Sequence, residues 1–325
     1  MDIIVTGSIA YDYLMRFPGR FTDHLIKESL HQVSLSFLVE DMTRHWGGVA
    51  ANISFSMALF GLQPKLMGTV GRDFADYRRW LNAAGVDTST VRQIDSVFCA
   101  SFFVNTDLEN NQIASFYSGA MALARNYQIS DVHPGKPDLV VISPNDPVAM
   151  QNLAEECRQR GLRFVYDPSQ QVPRLNGDEL RSSLEGAYML IVNAYEASLI
   201  CDKTGLSIAQ LRDEVEVLVI TQGKDGAHIY VDGGLIEVPA APVASIADPT
   251  GVGDAFRAGL FCGLALDAPW KVAGEMGALT ASYVLEQVGP QSHRFTLGEF
   301  VQRYRAAFDD GGVLDQLTAT QAARV

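Results

Sequence analysis

The sequence predicts an α/β fold in which helices flank a doubly wound, mostly parallel central sheet. Short runs rich in Val, Ile and Leu recur along the 325 residues, and stretches with helical spacing of apolar residues lie between them. Runs of this kind are typical of strands that are buried on both faces. Their alternation with helices indicates one sheet that is covered by helices on both sides.

The predicted strands of this sheet are residues 2–8, 66–70, 139–143, 164–166, 189–192 and 217–221. The predicted helices between them are residues 51–59, 74–84, 147–160 and 194–201. The start of helix 147–160 is the best defined, because Asp146 can cap it and Pro147 suits the first helical position.

The C-terminal part of the chain predicts a hairpin followed by helices. The hairpin is expected at 228–238, with its turn at Asp232-Gly233-Gly234. Two apolar helices are expected between 254 and 287, with a break near residues 267–269, and an amphipathic helix is expected at 296–308. Residues 311–325 are small and polar, and we expect them to form a loose tail.

A small β-rich lid is predicted from segments that interrupt the alternation. The runs 100–104 and 112–117 flank the polar tip 107–111, which is the pattern of a hairpin. Together with the short mixed run 33–39, this hairpin is expected to cover one edge of the main sheet. The lid segments are placed at about 13–45 and 97–120, as insertions in a single domain of residues 1–310.

Composition and charge exclude several classes of partner. The formal net charge is −13, from 25 basic and 38 acidic side chains. A protein this acidic repels nucleic acid and anionic membranes, so neither is expected as a partner. The four cysteines form no CxxC pair and have no zinc spacing. With no signal peptide and no membrane-length apolar segment, this indicates a cytoplasmic protein with reduced cysteines.

The run Gly251-Val252-Gly253-Asp254 directly precedes an apolar helix. Glycines allow a tight turn that exposes backbone N–H groups, and a helix N-terminus carries a positive partial charge. Together they can form an anion hole for a phosphoryl group, and Asp254 can take a proton from an attacking hydroxyl. A glycine turn with Asp254 as a helix cap explains these four residues equally well.

Other candidates lie where predicted strands end or helices begin. Gly48 and Asn52 open a helix, Ser8 and Asp12 follow the first strand, and Asn193 and Glu196 follow the strand 189–192. Ligands of open α/β sheets gather at the carboxyl ends of strands, so these side chains could bind hydroxyls, and Glu196 could hold hydrated Mg²⁺. Each motif by itself is explained as well or better by helix packing, a surface loop or a cap.

Two further groups are candidates for binding flat ligands. Thr221, Gly223 and Gly226 follow a strand end and could accommodate adenine and ribose, although a turn into the hairpin explains them too. Phe102 and Phe116 lie on the predicted lid and could stack on a base, although ordinary packing of the lid is an equal alternative.

The order of the motifs resembles the PfkB, or ribokinase-like, carbohydrate and nucleoside kinases. Gly-Gly-x-x-x-Asn comes at 47–52, Asn-x-x-Glu at 193–196 and Asp-x-Thr-Gly-x-Gly-Asp at 248–254. Longer strings are similar to the bacterial adenosine kinases of this family. These strings are TGSIAYD (6–12), FPGRF (17–21), VSLSFLV (33–39), DFADYR (73–78), QIASFY (112–117), DPSQQ (167–171) and DPTGVGDAFRA (248–258).

The resemblance implies a ribokinase-like fold and a role for each candidate. Asp254 would be the catalytic base, and Gly251, Val252 and Gly253 the anion hole. The substrate-binding residues would be Ser8, Asp12, Gly48, Asn52, Phe102, Phe116, Gln170 and Gln171, with Ser36 reaching the site of a partner subunit in a lid-to-lid homodimer. The ATP-binding residues would be Asn193, Thr221, Gly223, Gly226 and Gly253, with Glu196 serving Mg²⁺.

These roles predict an adenosine kinase that uses ATP and Mg²⁺ to convert adenosine into AMP in purine salvage. A sugar kinase acting on ribose, fructose or a related polyol is the first alternative, because the anion hole and base would be unchanged. A non-catalytic nucleotide or metabolite sensor on the same fold is the second, although a sensor does not need Asp254 as a base.

Overall fold

The computed structural model describes residues 1–24 and 34–322. The strands in this part of the chain are β1 (Ile3–Thr6), β2 (Ala10–Arg16), β3 (Asp41–Gly47), β4 (Lys65–Gly71), β5 (Val91–Ile94), β6 (Ala100–Thr106), β7 (Gln112–Tyr117), β8 (Leu139–Ile142), β9 (Phe164–Tyr166), β10 (Met189–Asn193), β11 (Val217–Thr221), β12 (Ala227–Val231) and β13 (Gly234–Val238). The helices are α1 (Val49–Leu59), α2 (Ala75–Ala83), α3 (Pro147–Arg160), α4 (Gly177–Leu184), α5 (Ala194–Thr204), α6 (Ile208–Asp213), α7 (Val252–Ala265), α8 (Trp270–Leu285), α9 (Leu297–Ala307) and α10 (Asp315–Ala322).

The larger sheet has the strand order β13-β12-β11-β10-β9-β8-β1-β4-β5. Its neighbouring strands run parallel, except that β12 is antiparallel to both β11 and β13. The smaller sheet has the order β3-β2-β6-β7 and forms the lid. Both the mostly parallel main sheet and the separate small sheet agree with the fold that the sequence predicts.

Apolar side chains of the central strands alternate between two cores, one on each face of the larger sheet. On β1, Val5 belongs to the core under α1, α7 and α8, whereas Ile4 belongs to the core under α3, α4 and α5. On β8, Val141 and Val140 divide in the same way. Successive side chains of a strand point to opposite faces, so a strand with helices on both sides has to be apolar throughout.

Several predicted elements are confirmed with their boundaries. Helix α3 begins after Asp146, whose side chain accepts a hydrogen bond from the N–H of Ala149, and it ends at Gly161 in the left-handed conformation. The β12–β13 hairpin turns at Asp232 (φ 52°) and Gly233 (φ 73°). Positive φ at both central residues is the geometry that a two-residue hairpin turn favours.

The lid differs from its prediction in one segment. Residues 34–39 of the run 33–39 form no strand, and Val33 lies outside the described residues. Instead, Phe37 packs edge-on against Phe17 and Phe21. The lid strands on this side are β2 and β3, which alternate too weakly in apolar residues to be predicted from the sequence.

The expectation of a loose tail at 311–325 is wrong for the described part of that segment. Residues 315–322 form α10, and Leu314 and Leu317 are buried in the core beside α9. The side chain of Asp310 accepts a hydrogen bond from the N–H of Leu314 and is paired with Arg305. Two leucines and one buried carboxylate are enough to fix a segment whose overall composition is polar.

No helix in the described part of the chain is long and apolar enough to cross a membrane.

Candidate active site

A cavity of about 580 Å³ lies between the carboxyl ends of the main-sheet strands and the lid. Its position agrees with the rule that open α/β sheets bind ligands at the carboxyl ends of their strands. Most residues that the sequence singles out line this one cavity. They are Ser8, Asp12, Gly48, Asn52, Phe102, Phe116, Gln170, Gln171, Asn193, Glu196, Thr221, Gly251, Gly253 and Asp254.

The loop before α7 presents free backbone N–H groups to the cavity. Gly251 adopts φ 80°, and a Cβ there would lie 2.4 Å from Pro290. Asp248 holds the loop, because its carboxylate accepts hydrogen bonds from the N–H groups of Thr250 and Gly289. Among the described residues, the N–H groups of Gly251 and Gly253 have no acceptor. They can therefore bind an anion at the start of the helix.

Asp254 lies in the first turn of α7, and its carboxylate faces the same cavity. Its Oδ2 accepts a hydrogen bond of 2.9 Å from Nδ2 of Asn52. Burial raises the pKa of Asp254 to about 7, although Arg257 and the hydrogen bond from Asn52 oppose this shift. A carboxyl group with a pKa near neutrality is suited to act as a general base.

A chain of directional hydrogen bonds orients Asn52. The indole N–H of Trp80 donates to Oε1 of Gln291, over 3.0 Å. Nε2 of Gln291 then donates to Oδ1 of Asn52 and to the hydroxyl of Tyr77, which itself donates to the carbonyl of Gly47. An indole nitrogen can only donate, so Gln291 has to turn its Oε1 toward Trp80 and its Nε2 toward Asn52. Asn52 then accepts with its Oδ1, which leaves its N–H₂ group facing Asp254.

Ser8, Gly48 and Asp12 form the wall next to α1. Ser8 Oγ accepts the N–H of Val49, and so it caps this helix. Gly48 has φ 93°, and a Cβ there would lie 2.6 Å from the carbonyl of Ser8. Gly48 thus allows α1 to approach the loop that carries Ser8. Asp12 lies on β2 of the lid sheet, and burial, with Asp248 nearby, raises the pKa of its carboxyl group to about 6.

The lid and the segment after β9 supply aromatic and amide groups. Phe102 and Phe116 are direct cross-strand neighbours on β6 and β7, and both line the cavity. Gln171 is buried, and its Oε1 has no hydrogen-bond partner in the described part of the chain. A buried acceptor without a partner costs free energy until a ligand donates to it.

Asn193 and Glu196 form a capping box at the start of α5. Each side chain accepts the backbone N–H of the other residue, over 2.8 Å. Both residues still line the cavity, and burial raises the pKa of the Glu196 carboxyl group. No group of three or more metal-ligating side chains occurs among residues 1–24 and 34–322. A single carboxylate suits a hydrated Mg²⁺ that is held mainly by phosphates, and Glu196 is the residue that would hold it.

Some predicted site residues do not line the cavity. Ser36 is exposed and lies outside the cavity. Val252 does not line it either, and its N–H approaches the carbonyl of Pro249, at 3.4 Å. Gly226 has φ 89°, and a Cβ there would lie 2.0 Å from the carbonyl of Val238, so the hairpin requires a glycine at this position. A Cβ on Gly223 would meet no atom within 4 Å.

The structure adds residues to which the sequence analysis assigns no role. Arg257, Ser169, Arg174 and Thr250 line the cavity, and Asp167 forms a buried ion pair with Arg257. A lone arginine in an apolar helix is a sequence signal for a buried charge pair. Gln291, by contrast, follows α8 in a loop that gives no such signal.

Comparison with known proteins places this geometry in a family. The model of the pfkB family of carbohydrate kinases matches residues 6–295. The nucleoside kinase of Burkholderia thailandensis, solved in complex with inosine, is 37% identical with a TM-score of 0.83, over 94% of this chain and 98% of that one.

Two archaeal proteins are similar over comparable lengths. The nucleoside kinase of Methanocaldococcus jannaschii, an archaeal member of the ribokinase family, is 25% identical with a TM-score of 0.82, over 94% of this chain and 99% of that one. The nucleoside kinase of Methanothermobacter thermautotrophicus is 29% identical over 94% of this chain and 96% of its own length. The fold is thus ribokinase-like, and the family match extends from the end of β1 to the residues before α9. This chain therefore belongs to the pfkB family of carbohydrate kinases.

Proposed function

We propose that this protein is an ATP-dependent nucleoside kinase that phosphorylates the 5′-hydroxyl of adenosine. The observation that carries the proposal is the position of Asp254. Its carboxylate, with a pKa near 7, lines the same cavity as Gly251 and Gly253, whose N–H groups have no acceptor in the described part of the chain, and the lid aromatics line that cavity too. A base, an anion hole and a surface for a flat ring thus occur in one site.

The reaction follows from this arrangement. Asp254 takes the proton of the 5′-hydroxyl as its oxygen forms a bond to the γ-phosphorus, and the bond from that phosphorus to the bridging oxygen of ADP breaks. The backbone N–H groups of Gly251 and Gly253 stabilise the charge on the transferring group. Ser8, Asp12, Gly48 and Asn52 bind the ribose, and Asn52 also holds Asp254 in place.

ATP is proposed to bind next to Asn193 and Thr221, with Gly223 and Gly226 under the adenine. The capping box at 193–196 fixes the start of α5 at the edge of the cavity, which supports a contact there. Mg²⁺, when bound with ATP at Glu196, would neutralise charge on the phosphates. Closure of the lid over the cavity would exclude water and so prevent loss of ATP by hydrolysis.

A nucleoside suits the acceptor side of the cavity better than a free sugar. Phe102 and Phe116 offer ring faces, and the buried Oε1 of Gln171 accepts no hydrogen bond from residues 1–24 and 34–322. The amino group of adenine or a ring N–H of another purine could supply a donor, whereas free ribose has neither a ring to stack nor a base. The inosine complex of the Burkholderia relative supports the purine class, and adenosine is our choice within it.

A homodimer through the lid is part of the proposal. Leu38 and Met42 are large apolar side chains that this part of the molecule leaves exposed, and Ser36 lies close to Leu38 in the chain. A partner lid would cover such a surface. Sedimentation velocity should give a dimer at micromolar concentration, and a monomer would contradict the role of Ser36 across subunits.

A panel of acceptors tests the function. Adenosine, inosine, guanosine, cytidine, ribose and fructose are each incubated with MgATP, and the phosphorylated products are separated by chromatography. We expect the highest kcat/KM for adenosine, with 5′-AMP as product. Preference for ribose or fructose would establish the sugar kinase alternative, and binding without turnover would favour a sensor.

The variant Asp254→Asn tests the base. Its turnover should fall about 10²- to 10⁴-fold, while adenosine affinity measured without ATP changes little. Asp202→Asn, an exposed position on α5, is the control and should leave turnover unchanged. Retention of full activity in Asp254→Asn would show that another group accepts the proton.

A further inference from the structure

Arg257 is a buried charge that the proposed reaction has not yet used. It lies one turn after Asp254 on α7, and only 5% of its surface is exposed. The other side chains that α7 buries are apolar or glycine, including Phe256, Leu260 and Phe261. A charged group in such a place has to be paired, and its retention needs a reason because apolar packing would stabilise the helix at least as well.

Asp167 pairs with Arg257 and fixes the direction of the guanidinium group. Nε of Arg257 lies 2.5 Å from Oδ2 of Asp167, and Nη2 lies 2.7 Å from Oδ1. Nη2 also donates to Ser169 Oγ, and this serine donates to the same carboxylate. Ser169 has φ 39°, so a residue in an unfavourable backbone conformation belongs to the cluster. The pair uses one edge of the guanidinium, where Nη2 donates a hydrogen bond and Nε makes only an ionic contact, and it leaves Nη1 for another partner.

Nη1 of Arg257 points to the start of α7. A Cβ built on Gly253 would lie 2.8 Å from this nitrogen, so Nη1 lies directly against one of the residues of the anion hole. Nη1 has no acceptor among residues 1–24 and 34–322, although Arg257 itself lines the cavity. The cation is also close enough to oppose the rise that burial causes in the pKa values of both Asp254 and Glu196. It therefore lies near both the base and the carboxylate that would serve Mg²⁺.

Carboxylates hold the cation in this position: burial by itself would lower the pKa of Arg257, whereas Asp167, Asp254 and Glu196 together raise it. The first turn of a helix carries a positive partial charge, which repels a cation, and burial of the cation adds a desolvation cost. The three carboxylates offset these costs, and among them Asp167 is the one whose side chain accepts a hydrogen bond from Arg257. An anion bound at the N–H groups of Gly251 and Gly253 would be attracted by the helix and by Nη1 together.

We propose that Arg257 is a catalytic residue whose Nη1 donates a hydrogen bond to a non-bridging oxygen of the transferring phosphoryl group. Asp167 and Ser169 are its positioning residues. Arg257 moves no proton: the acceptor hydroxyl loses its proton to Asp254, and the electron pair of the broken P–O bond stays on ADP. The proposal rests on the proposed phosphoryl transfer but not on the identity of the acceptor.

Three variants separate this role from a structural one. Arg257→Gln removes the cation, Asp167→Asn keeps it while breaking the pair, and the double variant removes both charges. A phosphoryl contact predicts a loss of about 10²- to 10³-fold in kcat for Arg257→Gln. The double variant should be equally slow, and Asp167→Asn clearly faster than both. A structural pair predicts the opposite: equal losses in the single variants and recovery in the double variant, because the neutral pair is restored.

Two readouts do not depend on which acceptor is used. Affinity for MgADP with aluminium fluoride, a mimic of the transferring group, should fall at least about tenfold in Arg257→Gln, whereas affinity for MgADP alone should stay the same. Equal losses for both ligands would overturn the proposal. If the wild type phosphorylated none of the acceptors, the proposed function would fail. The comparison of the two affinities would still test whether Arg257 contacts the transferring group.

The conservative variant Arg257→Lys adds a check on the charge. It should restore part of the lost kcat and hold the acid limb of the pH profile near its wild-type position, because a cation still faces Asp254. Arg257→Gln should move that limb to higher pH, since Arg257 lowers the pKa of Asp254. An unchanged limb in Arg257→Gln would contradict the assigned position of Nη1.

Discussion

Gln291 donates a hydrogen bond of 2.9 Å from Nε2 to Oδ1 of Asn52, although 239 positions of the chain separate them. This bond determines which end of the Asn52 amide faces Asp254. The indole of Trp80 fixes Gln291 in turn. An indole N–H can only donate, so it sets the direction of every hydrogen bond in this series. The proposed base is thus oriented by a side chain that does not line the cavity.

Gln291→Glu should weaken the base by reversing the direction of the hydrogen bonds between residue 291, Asn52 and Asp254. A carboxylate cannot donate to Asn52, so the asparagine would turn its N–H₂ toward Glu and its oxygen toward Asp254. Loss of the hydrogen bond to the ionised form should move the acid limb of kcat/KM up by about one pH unit and lower activity at pH 7 several-fold. The exposed Gln287→Glu adds the same charge outside this series of hydrogen bonds and should leave the profile unchanged. Identical profiles for both variants would argue against a positioning role for Gln291.

The wild-type rate should depend on pH through two carboxylates. Asp254 acts as a base only when ionised, so kcat/KM should fall about tenfold per unit below a pKa of about 7. Asp12, with a pKa raised to about 6, should accept substrate hydroxyls best when ionised, so the fall should steepen below that pH. Asp12→Asn should remove the second phase and keep the first. A flat profile between pH 5 and about 8 would contradict both assignments.

Asp254→Asn should make the folded protein more stable at alkaline pH. Burial raises the folded-state pKa to about 7, above that of the unfolded chain, so the fold binds a proton more tightly and loses stability as pH rises to about 7. Above that pH the ionised carboxylate costs its full amount, and asparagine removes the cost. We expect the Tm to rise by at least about 2 °C at pH 8, with a smaller gain at pH 5.5.

Asp310→Asn is the control for this stability measurement and should have the opposite sign. The hydrogen bonds from Arg305 lower the pKa of Asp310 to about 2, so its ionised form stabilises the fold at pH 8. Calorimetry on both variants should therefore give a higher Tm for Asp254→Asn and a lower one for Asp310→Asn. A lower Tm for both would mean that Asp254 has a structural role that outweighs its desolvation.

Phe116→Ala should weaken nucleoside binding without slowing the chemical step. Loss of one stacking face should raise the KM for adenosine about 2- to 10-fold, with kcat nearly unchanged. Ile113→Ala is a matched control, because Ile113 lies on the same strand, points to the opposite face and has the same 46% exposure. A similar rise in KM for both variants would indicate that the lid as a whole was disturbed.

Local patterns in the sequence were sufficient for most of the main sheet. Strands buried on both faces have to be apolar throughout, so β8, β9 and β11 are visible as uninterrupted runs, and Asp146 with Pro147 marks the start of α3 without any tertiary information. The lid strands β2 and β3 and the helix α10 were missed. Their residues are only partly apolar, and what fixes them is pairing or burial against distant segments.

The sequence by itself determined the fold class, the glycine turn before α7 and the candidate base, because these depend on residue types at short spacing. Only the tertiary structure decided which polar residues share one cavity and how they face each other. Asp167 meets Arg257, and Gln291 meets Asn52, across 90 and 239 positions of the chain. Long-range hydrogen bonds of this kind leave no periodic pattern, so Asp254 and Asn52 were visible in the sequence, whereas Gln291, which orients Asn52, became visible only after folding.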